Sequence, residues 1–269
     1  MADGNLGEMS FWDHVDALRG VLLRAGAVVL IMAIVFFAAM PEIFDRIILA
    51  PTRPDFCLYG LLASLGSVRG ITPDFNADFS VSLINIQLAS QFFIHISTSF
   101  WLALVFSFPI IIYLLWSFVA PGLYEREKRG ARTAFLFGNV MFFIGVAVGY
   151  FLVFPLTLRF LAGYQVSELV PNQISLDSYM DNFLMLILVM GIIFELPLLA
   201  WLLGKTGLLT RSFFSSYRRH AVVVLLILAA VVTPTGDPFT LTVVFLPIYI
   251  LWELSARFVP SHSHDTAAA

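Results

Sequence analysis

Four apolar runs in this sequence are each long enough to cross a lipid bilayer as a helix. They occupy residues 21–40, 91–119, 134–154 and 183–203. At about 1.5 Å of rise per residue, some twenty residues reach about 30 Å, the thickness of a bilayer core. Hydrocarbon supplies no hydrogen-bonding partner, so such runs must satisfy their backbone internally, as helices. Composition excludes a soluble alternative: hydrophobic residues make up 59% and charged residues 12%, against about 25% charged in ordinary soluble domains. The implied class is an all-α polytopic membrane protein.

The 21–40 run is interrupted only by Arg24. The residues before it are acidic as well as basic, and no small-residue cleavage site follows, so it reads as a retained span. The connection over 41–90 carries prolines at 41, 51, 54 and 73. It is too long for a structureless loop and is expected to form an outer cap of short surface helices, with the next helix beginning in 80–90. Pro109 predicts a bend in the second span, and Pro155 is expected to close the third. Gly138, Gly145 and Gly149 let another helix approach the third span closely. The fourth contains Glu195 and Pro197. Two shorter runs, 221–233 and 240–254, flank the turn Thr233-Pro234-Thr235-Gly236-Asp237-Pro238. They form either a buried hairpin or two short crossings beside which the bilayer thins; crossings complete six transmembrane helices. With the N-terminus inside, 11 of the 15 Lys and Arg residues fall on the inner side, which places both termini in the cytoplasm. The expected organisation is an amphipathic N-terminal helix over 1–20, one membrane domain over 21–254 and a flexible cytoplasmic tail over 255–269.

Glu195 is the sharpest single feature, since no basic residue shares its span. A carboxylate in hydrocarbon must be protonated, paired or open to water. Pro197, two residues on, frees backbone groups in the preceding turn. A functional role and a structural bond to a neighbouring helix both fit these facts. The inner loop from Pro121 to Gly130 holds Glu125 and Glu127 among Arg126, Lys128 and Arg129. Such a charged run suits a solvated face, yet a carboxylate there can also hold a guanidinium through two parallel bonds. The segment Ser10-Phe-Trp-Asp13-His-Val-Asp16-Ala17-Leu-Arg19 reads as a helix capped by Ser10. Its Phe11, Trp12, Val15 and Leu18 lie on one stripe, with Asp13 and Asp16 opposite. No catalytic motif is present. The single Cys57 excludes an intrachain disulfide, and His262 and His264 read as a solvated tail rather than a metal tract. Neither a cofactor, a metal nor a nucleic-acid partner is expected.

In order along the chain, these segments resemble the TatC family, the multispanning subunit of the twin-arginine protein translocase. The resemblance rests on the stretch Phe11 to Arg19, on Phe118 to Glu127 and on Phe194-Glu195-Leu-Pro197. It continues through Arg218-Arg219-His220, Thr233-Pro234 with Asp237, Phe245-Leu-Pro247 and Trp252-Glu253. It implies a non-enzymatic receptor with six helices in a concave, glove-like arrangement, in a bacterial inner membrane. Such receptors bind paired-arginine signal peptides of folded cargo, associate with single-span subunits of the TatA/TatB type and with further copies of themselves, and export cargo on the proton-motive force. By motif, the signal-binding residues are Glu127 and, secondarily, Glu125, with Asp13, Asp16 and Arg19 on the N-terminal segment. Glu195 and Gln91 become the membrane-embedded polar contacts for partner helices, and Asp237 the outer-hairpin acid. A proton-coupled solute transporter using Glu195 is the rival from another class; a scaffold that binds no signal is a third reading.

Two departures from the family pattern stand out. The N-terminal position usually occupied by Glu holds Ala17, and the Thr-Pro-Thr-Gly-Asp turn is one residue longer than usual. Asp13 and Asp16 border the face of Ala17, and their charge is expected to replace part of what is missing. Replacing Asp16 with Ala should then weaken binding of a twin-arginine peptide more than replacing Asp3 with Ala, as read by fluorescence anisotropy; equal effects would refute the compensation.

Overall fold

The structure, a computed structural model, describes residues 11–62, 81–119, 125–167, 169–170, 172–205, 209–233 and 235–259. Helix α1 is Phe11–Ile43, followed by a π-helical turn at Phe44–Ile48 and a 3-10 turn at Ala50–Thr52. A two-residue strand, β1 (Leu83–Ile84), precedes α2 (Ser90–Val119) and α3 (Glu125–Val148). A second π-helical turn, Gly149–Val153, leads into α4 (Phe154–Gly163); β2 (Ile174–Ser175) then pairs in parallel with β1. Helices α5 (Leu176–Ile193), α6 (Leu196–Lys205), α7 (Arg211–Ser216), α8 (Arg218–Val232) and α9 (Pro238–Phe258) complete the order. Among the described residues, five helical segments are long and apolar enough to cross a membrane, the last being Pro238–Arg257. Helix α8 has 15 residues. Ser10, the expected cap of the first helix, and the tail beyond Val259 lie outside the described residues.

Three expectations are corrected. Pro155 does not close the third span: the helical segment runs on to Gly163. Pro155 lies directly after the π turn Gly149–Val153, whose wider geometry leaves room for its ring within the continuing helix. Of residues 81–90 only Ser90 is helical: Leu83–Ile84 form β1, and α2 starts at Ser90 rather than earlier in the stretch. The last helix is not short. Asp237 caps it, Pro238 opens it, and it extends to Phe258. Pro109 and Pro247 both lie inside continuous helices.

The described residues form two compact units. The first takes residues through Ala39 and Ile96–Asn139. There Phe36 packs on Phe106 with ring centroids 5.1 Å apart, and Trp116 on Phe135 at 4.8 Å. Leu22, Leu23, Leu30, Ile31 and Ile34 of α1 are each more than half exposed, the surface a lipid-facing helix presents.

The second unit takes Met40–His95 and Val140–Ala269. Its core gathers Phe154, Tyr179, Met180, Phe183, Leu186 and Met190, with Phe154 edge-on to Tyr179 and Phe183. Where α1 unwinds, its last carbonyls find distant donors. Tyr150 Oη donates to Ile47 O at 2.8 Å, Tyr179 Oη donates to Ile48 O, and Tyr59 Oη donates to Pro51 O at 2.9 Å. Arg159 lies over the Tyr59 ring at 5.1 Å, and Phe56 stacks near Tyr59 and Tyr150. Residues 47–59 are thereby pinned onto α4 and α5.

Helix α3 meets α5 through glycine. A Cβ on Gly145 would lie 2.5 Å from Met190 O and 2.7 Å from Phe194 Cβ. Backbone oxygen cannot swing aside as a side chain can. Gly145→Ala should therefore lower thermal stability in detergent, by about 1–3 kcal/mol for such overpacking. Gly26→Ala, with nothing within 4 Å, should leave the melting temperature unchanged or raise it slightly.

The turn before α9 accommodates its extra residue at Gly236, whose φ is +58°. Asp237 Oδ1 accepts from Thr240 N and Oδ2 from Thr235 Oγ1, both at 2.7 Å. Burial raises the Asp237 carboxyl, but these hydrogen bonds together outweigh it and hold the group below its ordinary value of 3.8. A depressed folded value means the stabilisation is complete above the ordinary value and is lost as pH falls through the folded one. Asp237→Ala should destabilise the protein by about 1 kcal/mol at neutral pH. The gap between variant and wild-type melting temperatures should close in strong acid.

Candidate functional site

Helices α5 and α6 are one apolar run interrupted at Phe194 and Glu195. The cause is Pro197, which lacks the N–H that would bond Ile193 O. The chain tightens instead: Glu195 N donates to Ile192 O at 3.0 Å, and α6 resumes with Leu199 N on Glu195 O at 3.0 Å. Glu195 is half-buried, and its Oε1 is buried without a hydrogen-bond partner among the described residues. Gly145 of α3 backs the break at Met190 and Phe194, while Phe142 and Val146 press on Gly191. The interruption is thus held rigidly, with one acid oxygen waiting for a donor. An isolated acceptor in this setting favours a polar partner helix.

Gln91 occupies the first turn of α2 and is exposed. It lines a cavity of about 310 Å³ with Pro41, Phe44, Asp45, His95 and Leu176. Beside it, Ser90 Oγ donates to Asp177 Oδ1, joining the start of α2 to the start of α5. Gln91 is thus exposed at the edge of this hollow, within the first turn of a candidate span. Asp237 is committed to capping α9.

On the first unit, Asp16 and Arg19 are exposed on α1. Asp13 belongs to the same helix, and Glu125 and Glu127 form the first turn of α3; the side chains of these three lie outside the described residues. Acids at a helix N-terminus face the positive end of its dipole and the unpaired first amides.

Sequence reasoning missed a cavity of about 710 Å³ between α2 and α3. Pro109, Ile112, Tyr113, Trp116, Phe135 and Asn139 line it. Asn139 Nδ2 donates to Phe135 O at 2.9 Å, and its Oδ1 is buried without a partner among the described residues. The one signal available was an amide side chain inside an otherwise apolar run. The tyrosine donors on residues 47 and 48 were also missed, because each joins positions more than a hundred residues apart.

A family model described as "Sec-independent protein translocase protein (TatC)" matches residues 13–247. The TatC protein of Blattabacterium sp. subsp. Periplaneta americana is 33% identical over 92% of this chain and 94% of its own length. That of Helicobacter pylori is 40% identical over 65% of this chain and 68% of its own. Two crystal structures of a twin-arginine translocase receptor, TatC, superpose with TM-scores of 0.67 and 0.71. Both are 27% identical; they cover 91% and 92% of this chain and 97% and 99% of theirs. The family match runs through the N-terminal acids, the first turn of α3, the Glu195 break and the capping aspartate alike. This chain belongs to the TatC family of Sec-independent protein translocase proteins.

Proposed function

We infer that this chain is the signal-peptide receptor and core subunit of a translocase that exports folded proteins bearing twin-arginine signals across a bacterial inner membrane. The observation that carries this reading is the family match over residues 13–247 together with nearly end-to-end similarity to TatC receptors of solved structure. The protein is a transport subunit, not an enzyme.

The arginine pair is read by Glu127, with Glu125 beside it and Asp13, Asp16 and Arg19 on the N-terminal segment. Two carboxylates at the start of α3 supply acceptors at the positive end of a helix, and a guanidinium fits a carboxylate bidentately where an ammonium does not. The cavity walled by Tyr113, Trp116 and Phe135 is apolar enough to receive part of the hydrophobic stretch that follows the charged start of a signal peptide. Glu195 and Gln91 receive polar groups of single-span partner subunits; the unpartnered Oε1 supports this for Glu195. Asp237 orders the outer hairpin.

The chain crosses six times in a concave arrangement, with α8 as the short crossing and both termini cytoplasmic, the orientation that puts 11 of 15 basic residues inside. Residues 1–20 lie on the inner surface, 21–254 form the membrane domain with its outer cap over 41–90, and 255–269 form the cytoplasmic tail. Further copies of the chain join the same assembly, and the proton-motive force drives transport.

The test uses the purified protein in lipid nanodiscs and a fluorescent signal peptide. The peptide with adjacent arginines should bind at least about tenfold more tightly than its lysine counterpart, the scale of one charge-assisted bidentate contact. Glu127→Ala should remove most of that difference. Equal binding of both peptides by the folded protein would overturn the receptor reading. Preference that survives Glu127→Ala would move the site to Asp13 and Asp16.

A further inference from the structure

One end of the second unit collects positive charge from four helices. Lys205 closes α6, Arg211 opens α7, Arg218 and Arg219 open α8, and Arg257 lies in the last turn of α9. Contacts on α9 gather most of these termini. Arg211 Nε and Nη2 donate to Ala256 O and Arg257 O at 3.3 and 3.4 Å, and Arg218 Nη2 donates to Glu253 Oε2 at 2.7 Å. Phe214 of α7 is buried in one cluster with Ala200 of α6 and Val259, against which Trp252 and Ala256 pack. Glu253 is the only acid at this end among the described residues, and it is consumed: Oε2 holds Arg218, and Oε1 accepts from Tyr249 Oη at 3.1 Å. Arg219 and Lys205 are exposed and have no acidic partner among the described residues.

Length fixes the depth of these cations. Helix α8 has 15 residues, about 22 Å at 1.5 Å per residue, whereas a bilayer core measures about 30 Å. Its ends cannot both stand clear of the hydrocarbon, so the lipid deforms toward them or long side chains reach up to the headgroups. Aromatic rings mark the same level. Tyr217 packs at a tilt between Phe213 at 4.6 Å and His220 at 5.7 Å, and Lys205 Nζ lies 4.5 Å from the Trp201 ring centre. Rings of this kind settle at the boundary between acyl chains and headgroups. Unpaired cations held at phosphate depth beside interfacial rings are complementary to lipid phosphate.

We propose that this rim binds the phosphate of anionic phospholipid headgroups, with Arg219 and Lys205 as the contacting cations and Trp201 and Tyr217 flanking the glycerol region. On the orientation proposed above, the lipids belong to the cytoplasmic leaflet; the headgroup preference itself does not depend on that orientation or on signal-peptide binding. Arg218 and Arg211 serve differently. Their guanidinium groups are spent on Glu253 and on the α9 carbonyls, and they hold the rim together.

Native mass spectrometry of the delipidated full-length protein tests this, by titration with phosphatidylglycerol and with phosphatidylcholine of the same acyl chains. Phosphatidylglycerol should bind about thirtyfold more tightly, the scale of two cations near a charged surface. The double variant Lys205→Gln with Arg219→Gln should abolish most of that preference and each single variant part of it. Lys205→Arg with Arg219→Lys should retain it, as should Arg46→Gln, a lone exposed cation outside the rim. Equal binding of the two lipids by wild type would overturn the proposal, and so would a preference that persists in the double glutamine variant. Displacement of phosphatidylglycerol by an equal concentration of soluble glycerol phosphate would show a free-anion site and overturn the assignment to lipid.

Discussion

A backbone carbonyl left without a donor at the edge of hydrocarbon costs several kcal/mol, and much of this architecture follows from avoiding that. Helices α1 to α3 meet the requirement internally along their lengths. The difficulty arises where α1 unwinds through a π turn, because a helix terminus exposes its last carbonyls. Here tyrosine hydroxyls take over: Tyr150 and Tyr179, far along the chain, serve Ile47 and Ile48, and Tyr59 serves Pro51 from eight residues on. Residues 47–59 are therefore more than a loop between spans. Their shape depends on two phenols that cannot reach these acceptors unless the segments bearing them are in place.

The same requirement, unmet, marks the candidate partner site. Pro197 removes a donor and interrupts the span at Glu195, and glycine on α3 lets the neighbouring helix support the interruption closely. The backbone is largely repaired by shorter bonds, but the Glu195 side chain is not: one oxygen stays buried and unbonded. On the function proposed above, a donor brought by a partner helix would satisfy this oxygen, which lipid cannot do. Asp237 shows the opposite condition, with both carboxylate oxygens bonded within its own turn.

Much of this was legible in the sequence because lipid enforces simple rules. Long apolar runs had to be helices, Pro197 had to disturb the Glu195 turn, and the spaced glycines had to face another helix. What escaped depended on distance or on compensation. Pro155 read as a terminator because its effect was judged alone, without the π turn that absorbs it. The last helix read as short because its first residues, Pro238 to Thr240, are capped rather than apolar. Strand β1 drew no signal at all, since two residues pair only because β2 lies beside them. The cavity around Asn139 is made by two helices that no local pattern brings together. The identity of the receptor, by contrast, came from motif order; periodicity and charge alone stop at a polytopic membrane protein with a polar site.

The tyrosine tethers impose an order on biogenesis. Ile47 O waits for a residue 103 positions later in the chain, and Ile48 O for one 131 positions later. At ribosomal rates of about 5–20 residues per second, the second donor is synthesised on the order of ten seconds after its acceptor. During that interval the end of α1 is already in the bilayer, and interfacial water is the donor available to it. The fold of residues 47–59 is then a late event of maturation, locked only once α5 is in place, and a nascent chain stalled before Tyr179 carries that segment hydrated and unfinished.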